Sequence, residues 1–106
     1  MESNRHLIRP GDACYPKLVE ELETPPDLYV LGNPEVLLEP SISIVGARIA
    51  TPYGLAATEM AARISAECSL VVVSGGARGC DHAASRAALD AGGDIIIVAG
   101  TGADRI

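Results

Sequence analysis

The chain has 106 residues, of which 48% are hydrophobic and 21% are charged, as in one small globular domain and unlike a disordered segment. Its formal net charge of -6 argues against a broad basic surface that holds nucleic acid by counterion release, but not against a local basic pocket. The three cysteines form no C-x-x-C pair, which argues against zinc and thioredoxin-like sites. Free thiols, the lack of a signal-peptide pattern and the lack of a long apolar run predict a cytoplasmic protein that does not enter a membrane.

The N-terminal segment, residues 1–40, is rich in proline and in acidic residues. A short helical pattern over 17–22 is stopped by Pro25 and Pro26, because proline lacks the amide hydrogen that a continuing helix needs. The letters DLYVLG then predict a short strand that ends at Gly32. We therefore expect a cap of one helix and one short strand, packed on the domain that follows.

The domain over 41–106 begins with the letters SISIVGA, which predict a buried strand ending at Gly46. The next segment, TPYGLAATEMAARISAE, predicts a helix with Thr51 as its N-cap and Pro52 at its first position. Apolar residues at helical spacing predict which face of this helix packs on a sheet. The residues of that face are Ala56, Ala57, Met60, Ala61 and Ile64.

A second buried strand, SLVVVSGG, precedes a helix that starts at about Asp81 and is stopped by Gly92 and Gly93. A third apolar segment, DIIIVAGTG, predicts the last buried strand. Near-continuous apolar strands in the order β-α-β-α-β predict a parallel sheet with right-handed crossovers. The expected fold is therefore α/β, a Rossmann-like three-layer half domain over 41–106 with a short N-terminal cap.

All three predicted strands end in glycine, at Gly46, at Gly75 and Gly76, and at Gly100. In open α/β sheets ligands bind at these carboxyl ends, where small residues and a helix N-terminus let a phosphate approach the backbone. The spacing G-G-x-x-G is neither the Walker A pattern nor G-x-G-x-x-G. A tight strand-to-helix turn with Asp81 as the helix N-cap explains the same residues without any ligand. The phosphate site and the simple turn both stay open as interpretations.

Several side chains near these glycines are candidates for binding. Arg48 and Arg78 follow the first two strands, where a guanidinium can hold a phosphate in a bidentate manner. Arg86 is expected to be solvated or ion-paired, and His82 to occupy a surface position of its helix. Tyr53 either stacks on a base or fills the junction between helix and sheet. We find no nucleophile–base pair and no acid–base pair of carboxylates, so we assign no catalytic residue.

Four segments, in order and spacing, resemble the DNA-processing protein A family, also called DprA or Smf. They are YP at 15–16, PPDLYVLGN at 25–33, SIVGARIATPYG at 43–54 and VVVSGGARGCDHAASRAALDAGGDIIIVAGTG at 71–102. The resemblance covers roughly residues 11–106. It implies an extended Rossmann fold that binds single-stranded DNA in natural transformation and loads the RecA recombinase, usually as a homodimer. It implies no cofactor and no catalytic turnover.

The family's motifs imply a set of residues for binding DNA or phosphate at the strand ends. The glycine-serine-arginine motif maps to 46–48, and the serine-glycine-x-alanine-arginine-glycine motif maps to 74–79 with Asp81 following. Ala47 stands where a serine or threonine is common, which removes a hydroxyl donor to phosphate. The expected site residues are Gly46, Ala47, Arg48, Tyr53, Ser74, Gly75, Gly76, Ala77, Arg78, Gly79 and Asp81.

The family's Rossmann domain continues well past the last residue, Ile106, which makes this chain either a fragment or a natural short form. The last strand then has an open edge, and open edges invite pairing. We therefore expect self-association.

Two other functions compete with DNA binding. The first is nucleotide binding in the wider superfamily that includes the lysine-decarboxylase-like LOG phosphoribohydrolases, although the catalytic glutamate segment of those enzymes has no counterpart here. The second is a structural remnant without a ligand, which the net charge of -6 and Ala47 favour. Binding of an oligonucleotide, of a mononucleotide or of neither separates the three.

Overall fold

The computed structural model describes residues 5–46, 49–75 and 79–98, and the fold is given for these residues. The N-terminal part is an antiparallel hairpin of β1 (Arg5–Ile8) and β2 (Leu28–Leu31), with a short helix α1 (Lys17–Glu20) between them. The predicted helix and strand are therefore confirmed, and β1 is a second strand that the sequence did not indicate. A 3₁₀ helix over Pro34–Leu38 follows and contacts the last strand of the main sheet.

The main sheet has three parallel strands, β3 (Ser41–Ser43), β4 (Val71–Ser74) and β5 (Ile95–Ile97), in the order β3-β4-β5. Two helices connect them, α2 (Pro52–Glu67) and α3 (Cys80–Asp90). Both helices contact β4 and each other, so they lie on the same face of the sheet. This is the predicted Rossmann-like β-α-β-α-β arrangement.

The expectation of three buried strands is wrong for two of them. Three of the four residues of β4 are buried, whereas all three residues of β3 are exposed and those of β5 are half-buried. The reason is position in the sheet, because β4 has a neighbour on each side and the other two are edge strands. The apolar residues of a strand do not by themselves distinguish a central strand from an edge strand.

The core lies between the helices and β4, and small residues build most of it. Ala62 of α2, Val72 of β4 and two alanines of α3, Ala84 and Ala88, are completely buried. Alanine contributes little volume, so the axes of α2 and α3 come close and the two helices touch along their length. A small core of this kind depends on close packing more than on large side chains.

The face of α2 that was expected to pack on the sheet points to solvent instead. Met60 is 53% exposed and Ile64 is 50% exposed, and the three alanines of that predicted face are exposed as well. The buried positions of α2 are Ala62 and Ser65, on the other side of the helix. Small side chains on that side allow the close approach to α3, which the larger methionine and isoleucine would prevent.

The ends of the two long helices follow local rules. The Thr51 hydroxyl accepts a hydrogen bond from the Gly54 amide at 3.0 Å, and Pro52 is the first residue of α2, which confirms the predicted N-cap. The helix α3 starts one residue before the expected position, and the interpretation with Asp81 as its N-cap is wrong: the N-cap is Gly79, with φ 74° and ψ -127°, and Asp81 is already inside the helix. None of the helices in the described parts of the chain is long and apolar enough to cross a membrane.

Candidate nucleic-acid interface

The candidate site lies where β3 and β4 end, beside the first turn of α3. Ser74, the last residue of β4, donates its hydroxyl hydrogen to the Ile44 carbonyl oxygen at 2.7 Å. The Ile44 amide in turn donates to the Val73 carbonyl oxygen at 2.9 Å, which extends the pairing of the strands beyond the regular ladder. These two hydrogen bonds bring the segment after β3, which contains Gly46, close to the segment after β4, which starts at Gly75.

Asp81 joins both segments to α3. Its Oδ1 atom accepts a hydrogen bond from the Gly46 amide at 3.1 Å, across 35 positions of sequence. The Ser85 hydroxyl donates to the Asp81 carbonyl oxygen at 3.2 Å, one turn along the helix. Asp81 is only 6% exposed, so its carboxylate is part of the interior wall of the site. A negative charge in the first turn of a helix also interacts favourably with the positive end of the helix dipole.

Two glycines of the site are required by packing. A Cβ atom on Gly46 would lie 2.7 Å from Cβ and 2.9 Å from Sγ of Cys80, and a Cβ atom on Gly75 would lie 2.8 Å from Oδ2 of Asp81. A side chain at Gly46 would push the end of β3 away from α3, and a side chain at Gly75 would displace the Asp81 carboxylate. The glycines therefore explain how three chain segments meet at one point, and their bare backbone also keeps that point open to a ligand atom.

The structure brings together five of the expected site residues. They are Gly46, Ser74, Gly75, Gly79 and Asp81. Tyr53 is described as well; it lies in the first turn of α2 and is 83% exposed, so it does not fill the junction between helix and sheet. The other expected residues lie outside the described part of the chain. These are Ala47, Arg48, Gly76, Ala77 and Arg78.

Sequence reasoning missed two members of the cluster. The first is the Ile44 carbonyl group, which no pattern of side chains can indicate because the main chain makes the contact. The second is Cys80, which is buried and packs against Gly46. His82 and Arg86 are exposed on α3, as expected for surface positions.

A groove of about 920 Å³ lies between α2 and α3 and extends to Gly79 at the start of α3. Three carboxylate residues, Glu59, Glu67 and Asp90, and two arginines, Arg63 and Arg86, line it together with His82 and smaller residues. This mixture of charges gives no excess of positive charge for a phosphate backbone. Within 5–46, 49–75 and 79–98, no three His, Cys, Asp or Glu residues are placed to hold a metal ion.

Comparison with known proteins places the chain in one family. The family model for DNA recombination-mediator protein A matches residues 6–106. The chain is 42% identical over 94 residues to the DNA processing protein DprA of Streptococcus pneumoniae, a match that covers 88% of this chain and 33% of that protein. It is 32% identical over 106 residues to the protein Smf of Escherichia coli, covering 99% of this chain and 28% of that protein.

Solved structures agree with the sequence relatives. The X-ray structure of DprA from Streptococcus pneumoniae superposes with a TM-score of 0.86 at 37% identity, covering 96% of this chain and 36% of that one. DNA processing protein A from Helicobacter pylori, whose structure is described for its single-stranded DNA binding mode, superposes with a TM-score of 0.74 at 32% identity, covering 90% and 42%. The chain thus spans about a third of the relatives it matches. It belongs to the DNA recombination-mediator protein A family, whose curated members carry the names DprA and Smf.

Proposed function

We propose that this chain binds single-stranded DNA and holds the DNA backbone at the carboxyl ends of β3 and β4. The observation that carries the proposal is the convergence of two glycine-rich segments on the first turn of α3, in a chain whose structural relative from Helicobacter pylori is described as binding single-stranded DNA. Backbone amides at such a point suit the phosphate oxygens of any sequence, so the binding needs no base-specific contact.

The proposed contacts come from both segments. Gly46, Ala47 and Arg48 form the first, and the second runs from Ser74 to Arg78 and on to Gly79. The two arginines supply the local positive charge that a chain with a net charge of -6 needs in order to attract a polyanion. Tyr53, which is exposed in the first turn of α2, is proposed to stack on a base next to the bound backbone.

The test is binding of a fluorescent oligo-dT to the chain at low and at physiological salt. We expect the logarithm of the affinity to fall with the logarithm of the salt concentration, with a slope of about 0.7 for each phosphate neutralised. Arg48→Ala and Arg78→Ala should each weaken binding and reduce that slope. Arg86→Ala is the matched control, because it removes the same charge from an exposed position of α3 without touching the proposed site.

Three outcomes decide the proposal. Salt-dependent binding that falls in the first two variants and not in Arg86→Ala supports it. An equal loss in all three variants contradicts it, because general charge would then explain the binding. Failure to bind oligo-dT at low salt, with thermal stabilisation by a mononucleotide, would point to nucleotide binding instead.

The wider role proposed for the chain is that of its family in recombination. We propose a cytoplasmic protein that takes part in natural transformation and contacts RecA on single-stranded DNA. Addition of the chain to RecA and oligo-dT should then raise the amount of RecA on the DNA, measured by anisotropy at a fixed RecA concentration. An unchanged amount would contradict the RecA contact and leave the DNA-binding experiment unaffected.

We also propose that the chain associates with itself, because β3 and β5 are the two outer strands of the described sheet and β3 is exposed along its length. Light scattering over a range of concentrations tests this. A rising average mass supports association, and a monodisperse monomer at high concentration contradicts it.

A further inference from the structure

Asp81 is the one expected site residue whose charge has the same sign as a DNA backbone. From its contacts we infer that Asp81 is a positioning residue: it fixes the segment after β3 against α3 and acts on DNA only through that segment. The part of this inference that concerns DNA binding rests on the proposed function. The structural part of it, the bond from Gly46 to Asp81, can be measured without any DNA.

The first argument is the engagement of the carboxylate. Asp81 is 6% exposed, and its Oδ1 atom accepts the hydrogen bond from the Gly46 amide at 3.1 Å. An ionised carboxylate has acceptors only and offers no hydrogen to a phosphate oxygen. Direct contact with the backbone of DNA would set two negative groups together without a shared proton, which is unfavourable.

The second argument is the space around the other oxygen. Oδ2 lies 2.8 Å from the place where a Cβ atom on Gly75 would be, so the carboxylate occupies the space that a side chain at that position would need. Asp81 therefore lies beside both strand ends, with a hydrogen bond to Gly46 and with its Oδ2 atom where a side chain on Gly75 would be. A carboxylate that lies between two main-chain segments and is hydrogen-bonded to one of them is suited to set the distance between them.

The consequence for the site follows from the order of residues. Gly46 directly precedes Ala47 and Arg48, and Arg78 precedes Asp81 by three positions on the other segment. The hydrogen bond from Gly46 to Asp81 thus links the two parts of the chain that carry the proposed arginine contacts. Removing it should weaken DNA binding although no DNA contact is lost.

The experiment compares Asp81→Ala and Asp81→Asn by two measurements. Asparagine keeps the Oδ1 acceptor and nearly the same volume, whereas alanine removes both. The first measurement, without DNA, is the proton chemical shift and hydrogen-exchange rate of the Gly46 amide in the ¹⁵N-labelled chain. The second is the affinity for oligo-dT. Asp90→Ala, which removes an exposed carboxylate from the far end of α3, is the matched control for charge.

We expect Asp81→Ala to move the Gly46 amide resonance upfield, to speed its exchange and to weaken oligo-dT binding by about tenfold, as for the loss of a hydrogen bond to a charged acceptor. Asp81→Asn should keep the exchange slow and restore affinity to within about threefold of the wild type. This rescue separates positioning from a direct contact of the carboxylate. Asp90→Ala should leave the Gly46 amide unchanged.

Gly75→Ala is a second route to the same measurement if Asp81→Ala does not fold. The added Cβ atom moves the Asp81 carboxylate away from the Gly46 amide, although the carboxylate group itself is still present. The Gly46 amide resonance should therefore move in the same direction. A Gly46 amide that is unmoved in both variants overturns the inference. So does equal loss of affinity in Asp81→Asn and Asp81→Ala, or tighter binding in both. Loss of oligo-dT binding in the wild type would instead refute the proposed function and leave the amide result standing.

Discussion

Gly93 and Ala66 meet so closely at the ends of α3 and α2 that no side chain fits between them. A Cβ atom on Gly93 would lie 2.6 Å from Cβ and 3.3 Å from Cα of Ala66, and 3.2 Å from the Ala88 carbonyl oxygen. The Gly93 amide also donates to that carbonyl oxygen at 2.9 Å, which holds the chain in place as it turns toward β5. The glycine thus sets the spacing of the two helices at the end opposite the candidate site.

Gly93→Ala should therefore destabilise the fold by about 1–3 kcal/mol, as overpacking of a close contact does. Urea denaturation followed by circular dichroism measures the change. The control is Ala66→Gly in the same background, which removes the Cβ atom that the new methyl group meets. The double variant should lose less stability than the sum of the single variants, whereas simple additivity would contradict the close contact.

The orientation of α2 gives a prediction that reverses the one made from its sequence. Met60→Gln should change the free energy of unfolding by less than about 0.5 kcal/mol, because Met60 is 53% exposed. Ala62→Gln should cost about 2 kcal/mol or more, because Ala62 is completely buried and the new amide needs both space and hydrogen bonds.

The two substitutions introduce the same side chain two positions apart, and the lower helix propensity of glutamine relative to alanine accounts for less than about 0.7 kcal/mol of the difference. Thermal melts of both variants measure the difference. The opposite ranking, with Met60→Gln the more harmful, would mean that α2 packs by its methionine face.

The order of elements could be predicted because its signals are local. Apolar runs, the proline at the start of α2 and the glycines after each strand are all visible in a few adjacent letters. The buried face of α2 could not be predicted in this way. The helix has two sides free of charge, and hydrophobicity alone favours burial of the side with the larger residues. The choice depends on the alanines of α3, such as Ala84, which are distant in sequence and let the two helices approach until only small residues of α2 fit between them.

The candidate site shows the same division. The strand ends and their glycines were predicted from the order of elements, and five expected residues do lie together. The reason why position 46 must be glycine could not be predicted, because it is the contact with Cys80, which comes 34 positions later in the sequence. The role of Asp81 could not be predicted either. An aspartate that caps a helix and one whose carboxylate binds the main chain after another strand look the same in the sequence.

Tyr15 should make the stability of the N-terminal hairpin decrease at high pH. Its ring is buried, and its hydroxyl donates to the Pro26 carbonyl oxygen at 2.6 Å. Burial, and then the negative charges of Glu20 and Asp27, raise the pKa of Tyr15 above its usual value of 10.0. The folded state therefore holds the proton more tightly than the unfolded state does, so this contribution to stability is complete below pH 10 and is lost as the pH rises through the raised pKa.

Melting temperatures between pH 9 and pH 11.5 test this dependence. Tyr15→Phe should melt lower than the wild type at neutral pH, through loss of the hydrogen bond, and should fall less steeply above about pH 10. Tyr29→Phe is the control, since Tyr29 is 77% exposed and should follow the wild-type curve. Parallel curves for wild type and Tyr15→Phe would show that Tyr15 does not carry the effect.

Tyr53 should contribute to DNA binding through its ring and not through its hydroxyl group. Tyr53→Ala should weaken oligo-dT binding by about 1–3 kcal/mol, the range for a base stacked on an aromatic side chain, whereas Tyr53→Phe should bind like the wild type. Fluorescence anisotropy at one fixed salt concentration measures both. Tyr29→Ala removes an equally exposed ring from β2, in the N-terminal hairpin, and should leave the affinity unchanged.

The ring of Tyr53 is 83% exposed in the structure, so its removal should leave the melting temperature nearly unchanged and the affinity loss can be assigned to the contact itself. Base stacking is tolerant of sequence because every base has a π face, so the loss should be similar for oligo-dT and oligo-dA. An affinity that falls equally in Tyr53→Ala and Tyr29→Ala would assign no special contact to the first turn of α2. A loss in Tyr53→Phe as large as in Tyr53→Ala would instead place the hydroxyl group, and not the ring, against the DNA.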